Sequence, residues 1–387
     1  MKTFIGRKHQ RIFGSLLVPV LLAAVSLIGA NSFVLSPILS DVAHDLGTEP
    51  YHIAWAISVF GALTALSSLI LAKLVDRISI GLLMGAAALL LAAASVLSGL
   101  SHSWWWLCSS QALSGISTGI LLPGAYATAS KTAPEGRQAS RMAMVMTGWA
   151  LSLVLIVPLA AFITECFGWR YVYFILAILS VITGISLVVS LQDAEQNSSK
   201  RCSIAKAIYL PHVIPILIII FIYMTAFYGA FSFFGEGMKQ RFDFSSQEVG
   251  YLVMTYGLGF GLAGVIISII SPKISMKYIT LILLGIVFSY SSWVMWPSTF
   301  VAILLASFIW GLLNQIALNA LIVELNQSSN TDQGVLMGLS TATTYLAVFA
   351  GPVIMTPIFN EFGFIGVSTF AALLVSAGTF FNIYANK

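Results

Sequence analysis

Asn31, Gln111, Asn314, Gln315 and Asn319 are amides inside long apolar runs of this chain. A carboxamide in lipid is costly unless it faces protein or water, so each is either a ligand contact or a bond between helices. Gln111 heads a stripe with Ser114 and Thr118, whose spacings of three, four and seven keep them on one helical face. Trp310 and Asn314 are four apart, as are Gln315 and Asn319. Tyr223 and Tyr228 each offer a ring and a hydroxyl, and Trp149 and Tyr345 can wall the same space. The chemistry these types support is hydrogen bonding and stacking on a small solute. Helix packing is the competing reading. Gly115 and Gly119 run through the Gln111 stripe as a small-xxx-small pattern that lets helices approach closely.

Acid is scarce at depth. No Asp or Glu stands in the middle of any apolar run. Asp41, Glu165, Glu236 and Glu248 fall at one set of run ends, Asp76 and Glu324 at the other. A transporter driven by protons normally buries a carboxyl that can titrate. Asp41, Glu236, Glu324 and the boundary histidine His52 are therefore the candidates for proton coupling. Nothing points to an enzyme: there is no His-Glu-x-x-His and no Ser-His-Asp set at shared depth. Cys108, Cys166 and Cys202 have no paired or metal-like spacing, so neither metal nor cofactor is expected.

The elements that must position these residues are transmembrane helices. Hydrophobic residues make up 58% of the 387, and charged residues only 8%. A helix of about 20 apolar residues crosses a bilayer. Twelve such runs are legible, at 14–39, 52–72, 80–100, 104–129, 142–163, 170–191, 210–234, 249–271, 278–295, 298–322, 335–359 and 362–384. Unbroken runs of this length exclude a barrel. The first run is too long for a secretory h-region and reads as a retained span. With the N-terminus in the cytoplasm, fifteen Lys and Arg fall on the inner side and three (Arg170, Lys239, Arg241) on the outer. The chain is thus expected in a cytoplasmic, or inner, membrane, with both termini on the cytoplasmic side. The net charge of +4 reflects that sidedness and does not suggest nucleic-acid binding.

The chain also divides. A polar stretch at 193–207 reads as a cytoplasmic linker between a six-helix unit at 1–192 and another at 208–387. Pro158 and Pro352 lie 194 residues apart; Phe167-Gly168-Trp169 and Phe362-Gly363-Phe364 lie 195 apart, as do Gln138 and Gln333, and Met142 and Met337. Matches in one order suggest a repeat of about half the chain, with a binding site between the halves.

With these features the chain resembles the major facilitator superfamily over essentially its full length. The best local match is Ala72-Lys73-Leu74-Val75-Asp76-Arg77-Ile78-Ser79-Ile80-Gly81, against the family's Gly-x-Leu-Ala-Asp-Arg-x-Gly-Arg-Arg. Leu74, Asp76 and Arg77 stand; the first Gly and the Gly-Arg-Arg tail do not. Val157-Pro158-Leu159 ahead of Phe167-Gly168-Trp169-Arg170 looks like the drug and sugar exporter branch, the drug:proton antiporters, although that branch's Gly-Pro pair appears instead as Gly351-Pro352. The resemblance implies an all-α membrane protein of twelve helices in two six-helix bundles, with spans 1, 4, 7 and 10 lining a cavity. It implies a monomeric carrier of a small organic solute by alternating access, with proton-coupled efflux ahead of an uncoupled facilitator or importer. It implies gating roles for Asp76, Arg77, Arg137, Arg141, Pro158, Gly351 and Pro352. Gln111 stands where the family often carries an Arg tied to proton coupling, and a neutral amide cannot hold that charge.

Overall fold

The structure, a computed structural model, describes residues 2–74, 79–134, 137–191, 210, 212–270, 276–295, 299–327 and 333–385. Asp76, Arg77 and the expected linker at 193–207 lie outside these described residues. Among the described residues every regular element is a helix. Lipid offers no partner for a backbone N–H or C=O, so an apolar run must bond to itself.

In chain order the helices are α1 (Lys2–Phe33), α2 (Leu39–Asp45), α3 (Pro50–Leu74), α4 (Ile80–Gly99), α5 (Trp104–Lys131), α6 (Gln138–Met146), α7 (Gly148–Leu151), α8 (Val157–Phe167), α9 (Trp169–Ser190), α10 (Val213–Phe242), α11 (Ser246–Ile270), α12 (Met276–Met295), α13 (Phe300–Gln327) and α14 (Gln333–Ala385). A π-helical turn, Ser152–Ile156, joins α7 to α8. Among the described residues eight stretches are long and apolar enough to span a membrane. One of them, Leu336–Ile383, holds two crossings, and Leu17–Phe33 and Tyr278–Trp293 are shorter apolar helices. With α5, 28 residues long and dotted with Ser, Thr and Gln, these make the twelve crossings expected.

Four departures from the expected spans have physical causes. The first crossing ends at Phe33 and not at residue 39, because Pro37 cannot donate to a helix and disfavours helical backbone just before it. The chain turns there and starts the short α2. Span 5 is broken: Pro158 leaves the Val154 carbonyl without its usual N–H, and the backbone relaxes into the π turn beside it. The seventh span runs past 234 to Phe242. The last two spans form one helix by hydrogen bonding, interrupted at Gly363 (φ 61°, ψ −160°). Gly168, 195 positions earlier, breaks α8 from α9 with φ 98°. Both values suit glycine, and both mark the same place in the two halves.

The helices form two six-helix bundles. In the first, α3 packs on α5, α4 on α5 and α9, and α1 on α9. In the second, α10 packs on α14, α11 on α13, and α12 on α13 and α14. Across the seam α3 meets α14, and α11 meets α8 and the π turn. Gly61 allows the first crossing, since a Cβ there would sit 2.7 Å from the Phe349 amide nitrogen. We call the end of the bundle where α2 lies the α2 end.

Candidate functional site

Aromatic rings fill the contact between α1 and α10. Phe33 closes α1 and meets four rings: Trp149 edge-on at 5.8 Å, Tyr228 stacked at 6.1 Å, Phe231 at 5.0 Å and Phe227 at 6.4 Å. Tyr228 is near the middle of α10. Trp149 Nε1 donates to the Tyr126 hydroxyl at 2.8 Å, so α7 and α5 hold that indole from the first half. Beside this group Phe60 of α3 meets Tyr345 of α14 edge-on at 6.0 Å, again across the halves. Edge-on and offset contacts of this kind each contribute about 0.5–1.5 kcal/mol beyond area burial. From Leu17 to Phe33 and from Val213 to Gly235 neither helix carries an Asp, Glu, Lys or Arg. Along these two helices the seam therefore presents aromatic rings and hydroxyls and no fixed charge.

The amides sit elsewhere. Gln111 is buried inside the first bundle, where its Oε1 accepts from Asn31 Nδ2 at 3.0 Å and its Nε2 donates to Ser98 and to the Tyr173 hydroxyl at 3.2 and 3.4 Å. It ties α1, α4, α5 and α9 together. Asn314 does the same in the second bundle: its Oδ1 accepts from the Tyr223 hydroxyl at 2.7 Å and its Nδ2 donates to the Tyr256 hydroxyl at 3.2 Å. Gln111, Asn314 and Tyr223 are thus placed between helices. Trp310 is fully enclosed by Phe227, Phe234, Tyr256 and Tyr290, with centroids 5.1–5.8 Å away. Ser114 and Thr118 are buried with no hydrogen-bond partner for either hydroxyl oxygen. Neighbouring Gly115 and Gly119 bring α5 against the backbone of α3. Asn31 keeps its Oδ1 free of any partner, as Gln315 does its Oε1, and Asn319 is half-buried.

The α2 end is closed. The Ser36 hydroxyl donates to the Phe231 carbonyl across the halves. Lys239 Nζ donates to Asp41 at 2.6 Å and to Ser40 at 3.0 Å, and Ser246 also donates to Asp41, at 2.7 Å. Glu165 accepts from the Gln247 backbone N–H at 3.0 Å, which joins α8 to the start of α11. Arg170 pairs with Asp45 and donates to the Ser101 carbonyl at 3.0 Å, which fixes α2 against its own bundle. Gly235 lies on the backbone of Ser36 and Pro37, where a Cβ would fall 2.8 Å from the Pro37 Cα.

Of the candidate acids, only Glu236 is buried, at 6% exposure. Its Oε1 accepts from Gln240 at 2.7 Å, and its Oε2 has no partner. Asp41 is part of the charged latch, and Glu324 is half-buried toward the opposite end of α13. His52 bonds Thr48 at 2.8 Å and stacks on Trp104. Among the proposed gate residues, Arg141 donates to the Thr132 carbonyl at 2.7 Å, and Arg137 is exposed ahead of α6. Pro158 faces Gly250 of α11 across the seam. Gly351 lies on Gly229 of α10, and the adjoining Pro352 is interior to α14. Sequence reading missed Phe33, Tyr126, Phe231 and Tyr256. The signal available was the spacing of Phe227 and Phe231, one turn apart, but aromatics in an apolar helix do not declare which neighbour they face.

Known proteins agree with this architecture. The chain is 27% identical over 392 residues to the uncharacterized MFS-type transporter YwfA of Bacillus subtilis (strain 168), covering 99% of this chain and 94% of that one. It is 24% identical to YbcL of the same organism, over 72% of this chain and 78% of that one. In three dimensions it resembles a bacterial homologue of the human lysosomal transporter Spinster, crystallised inward-facing and occupied, with a TM-score of 0.77, 13% identity and 96% of each chain covered. The unoccupied inward-facing form gives a TM-score of 0.74. The sequence model of the Major Facilitator Superfamily matches residues 21–352, and the chain belongs to that family of membrane transporters.

Proposed function

We propose that this transporter exports a small, uncharged, aromatic or weakly polar organic solute across the cytoplasmic membrane by alternating access, driven by protons. The observation that carries the solute class is the Phe33–Trp149–Tyr228–Phe231 seam, contributed by both halves and free of fixed charge. A cation or anion entering it would lose hydration with little compensation. The positive-inside asymmetry makes the α2 end the outer one, so the closed latch there corresponds to a carrier facing the cytoplasm. The exporter-like span 5 supports efflux, and a monomer suffices because both walls come from one chain. We take the units as 1–192 and 208–387 about the linker at 193–207.

The test is thermal stabilisation of the purified protein by a panel of uncharged aromatic metabolites and antibiotics, with charged analogues as controls. A ligand at 100 times its Kd stabilises by about 2.7 kcal/mol. Uncharged compounds are expected to raise Tm, and Phe33→Ala to weaken that rise. Stabilisation by charged analogues alone would contradict the reading. An uncoupled facilitator is the second reading, favoured by Gln111 being neutral and spent on packing. A panel hit loaded into proteoliposomes separates the two, since proton-driven export stops on adding an uncoupler.

A further inference from the structure

We infer that the solute carries a neutral hydrogen-bond acceptor, a carbonyl-type oxygen, which the indole N–H groups of Trp293 and Trp310 and the hydroxyls of Tyr290 and Tyr256 receive inside the second bundle. The inference rests on the aromatic-solute reading above and narrows its class.

Trp310 of α13 stands at the centre of the group. Its ring lies 5.1 Å from that of Tyr256 on α11, and 5.8 and 6.1 Å from those of Tyr290 and Trp293 on α12. All four side chains are buried, none more than 4% exposed. Among the described residues, Trp293 Nε1, Trp310 Nε1 and the Tyr290 hydroxyl make no hydrogen bond. The Trp310 N–H leans toward the Tyr290 hydroxyl with a geometry that falls short of a bond. Were that bond made, the hydroxyl proton and the Trp293 N–H would still lack an acceptor. The Tyr256 hydroxyl accepts from Asn314 Nδ2 at 3.2 Å, which leaves its own proton to give. Asn314 Oδ1 is taken by the Tyr223 hydroxyl. Ser307, three residues before Trp310 on the same face of α13, is likewise buried with an unpaired hydroxyl. A native interior rarely keeps so many unmet donors in one place without a use for them.

The chemistry of the group selects its ligand. An indole N–H can only donate, so the site is short of acceptors. No acidic side chain bonds any of its members, and Phe227, Phe231 and Phe234 complete the ring of neighbours around Trp310. An ion entering this enclosure would lose its hydration with little return, whereas a neutral carbonyl oxygen takes two or more donors at once.

Only phenyl rings separate the donors from the seam. Phe231 meets Phe33 at 5.0 Å and Trp310 at 6.0 Å; Phe227 meets the same two at 6.4 and 5.8 Å. A phenyl ring makes no hydrogen bond, so it can turn aside without stranding a polar group. The solute's ring then rests on Phe33 while its oxygen reaches past Phe231 to the donors. Tyr290 and Trp293 stand on α12, which is outside the spans that the family resemblance assigns to the cavity. The donors therefore extend the seam into one half of the molecule.

The test compares two probes of nearly one shape: tetralone, which has a carbonyl, and tetralin, which lacks it. Binding to the full-length protein in nanodiscs is measured by titration calorimetry, with empty nanodiscs subtracted. Tetralone is expected to bind the wild type about tenfold more tightly, the factor that about 1.4 kcal/mol gives. Tyr290→Phe removes one oxygen and keeps the ring. It is expected to cut the preference about fivefold and to leave tetralin binding unchanged. It is also expected to leave the Tm of the ligand-free protein unchanged or raised, since it removes a buried hydroxyl without a partner. Trp293→Phe is expected to reduce the preference in the same way; if it does not fold, Tyr290→Phe decides alone. Equal affinity for the two probes would overturn the proposal, as would a preference undiminished in Tyr290→Phe. A lowered Tm in ligand-free Tyr290→Phe would also overturn it, because the hydroxyl would then be bonded within the bundle. Tighter binding of tetralin carboxylate would assign the donors to an anion and overturn the neutral oxygen. Equal binding of both probes that is lost in Phe33→Ala overturns this proposal alone, whereas no binding of either contradicts the aromatic-solute reading as well.

Discussion

Asn314 shows how one buried amide holds a membrane bundle. It accepts from one tyrosine on α10 and donates to another on α11. Removing its side chain takes the donor from the Tyr256 hydroxyl and leaves Tyr223 only the residue-314 backbone carbonyl, 3.1 Å away, and each lost bond costs on the order of 1 kcal/mol. Asn314→Ala is therefore expected to lower the stability of the folded protein by about 1–3 kcal/mol in thermal or denaturant unfolding. Unchanged stability would mean that Asn314 serves a ligand and not the bundle. The sequence marked Gln111 and Asn314 as expensive, because amides at lipid depth are, but it left their direction open. Spacing places a residue on a face; only packing says whether the face meets a helix or a cavity. Glu236 stands just past the end of an apolar run, and its burial was not legible for a related reason. The apolar run ends near residue 234, yet the helix continues to Phe242 and carries the carboxyl into the closed seam.

At the scale of elements, helices approach where side chains are small and bend where bonding fails. The break at Gly168 and Gly363 and the π turn before Pro158 follow from residue types visible in the sequence. The repeat of offset 195 was legible for the same reason, since a left-handed backbone position restricts the residue. Contacts between the halves were not legible, because small residues occur on every face. Gly235 is the sharpest instance: α10 meets the Ser36–Pro37 turn there with no room for a Cβ. Gly235→Ala is expected to hold the α2 end apart. A cysteine introduced at Ser232, buried in the closed form, should then react with a membrane-impermeant maleimide roughly tenfold faster, as a loss of about 1.4 kcal/mol in closure would give. An unchanged rate would mean that closure does not depend on this contact.

For the whole molecule, twelve crossings in two bundles share a seam that is bolted at one end by Asp41, Lys239 and Ser246 and lined further in by aromatic rings. The bilayer forces the helices, the repeat pairs the halves, and the seam between them is where we propose that a solute is held. Alternating access requires the two ends to move in opposite senses about that seam. The most direct test places one spin-label pair at the α2 end, on Tyr171 and Phe362, and another at the opposite end, on Lys131 and Ile214, in separate samples of the full-length protein in nanodiscs. Two populations are expected at each end, such that conditions lengthening the first distance shorten the second. A single fixed distance at both ends, or both distances growing together, would contradict transport by alternating access.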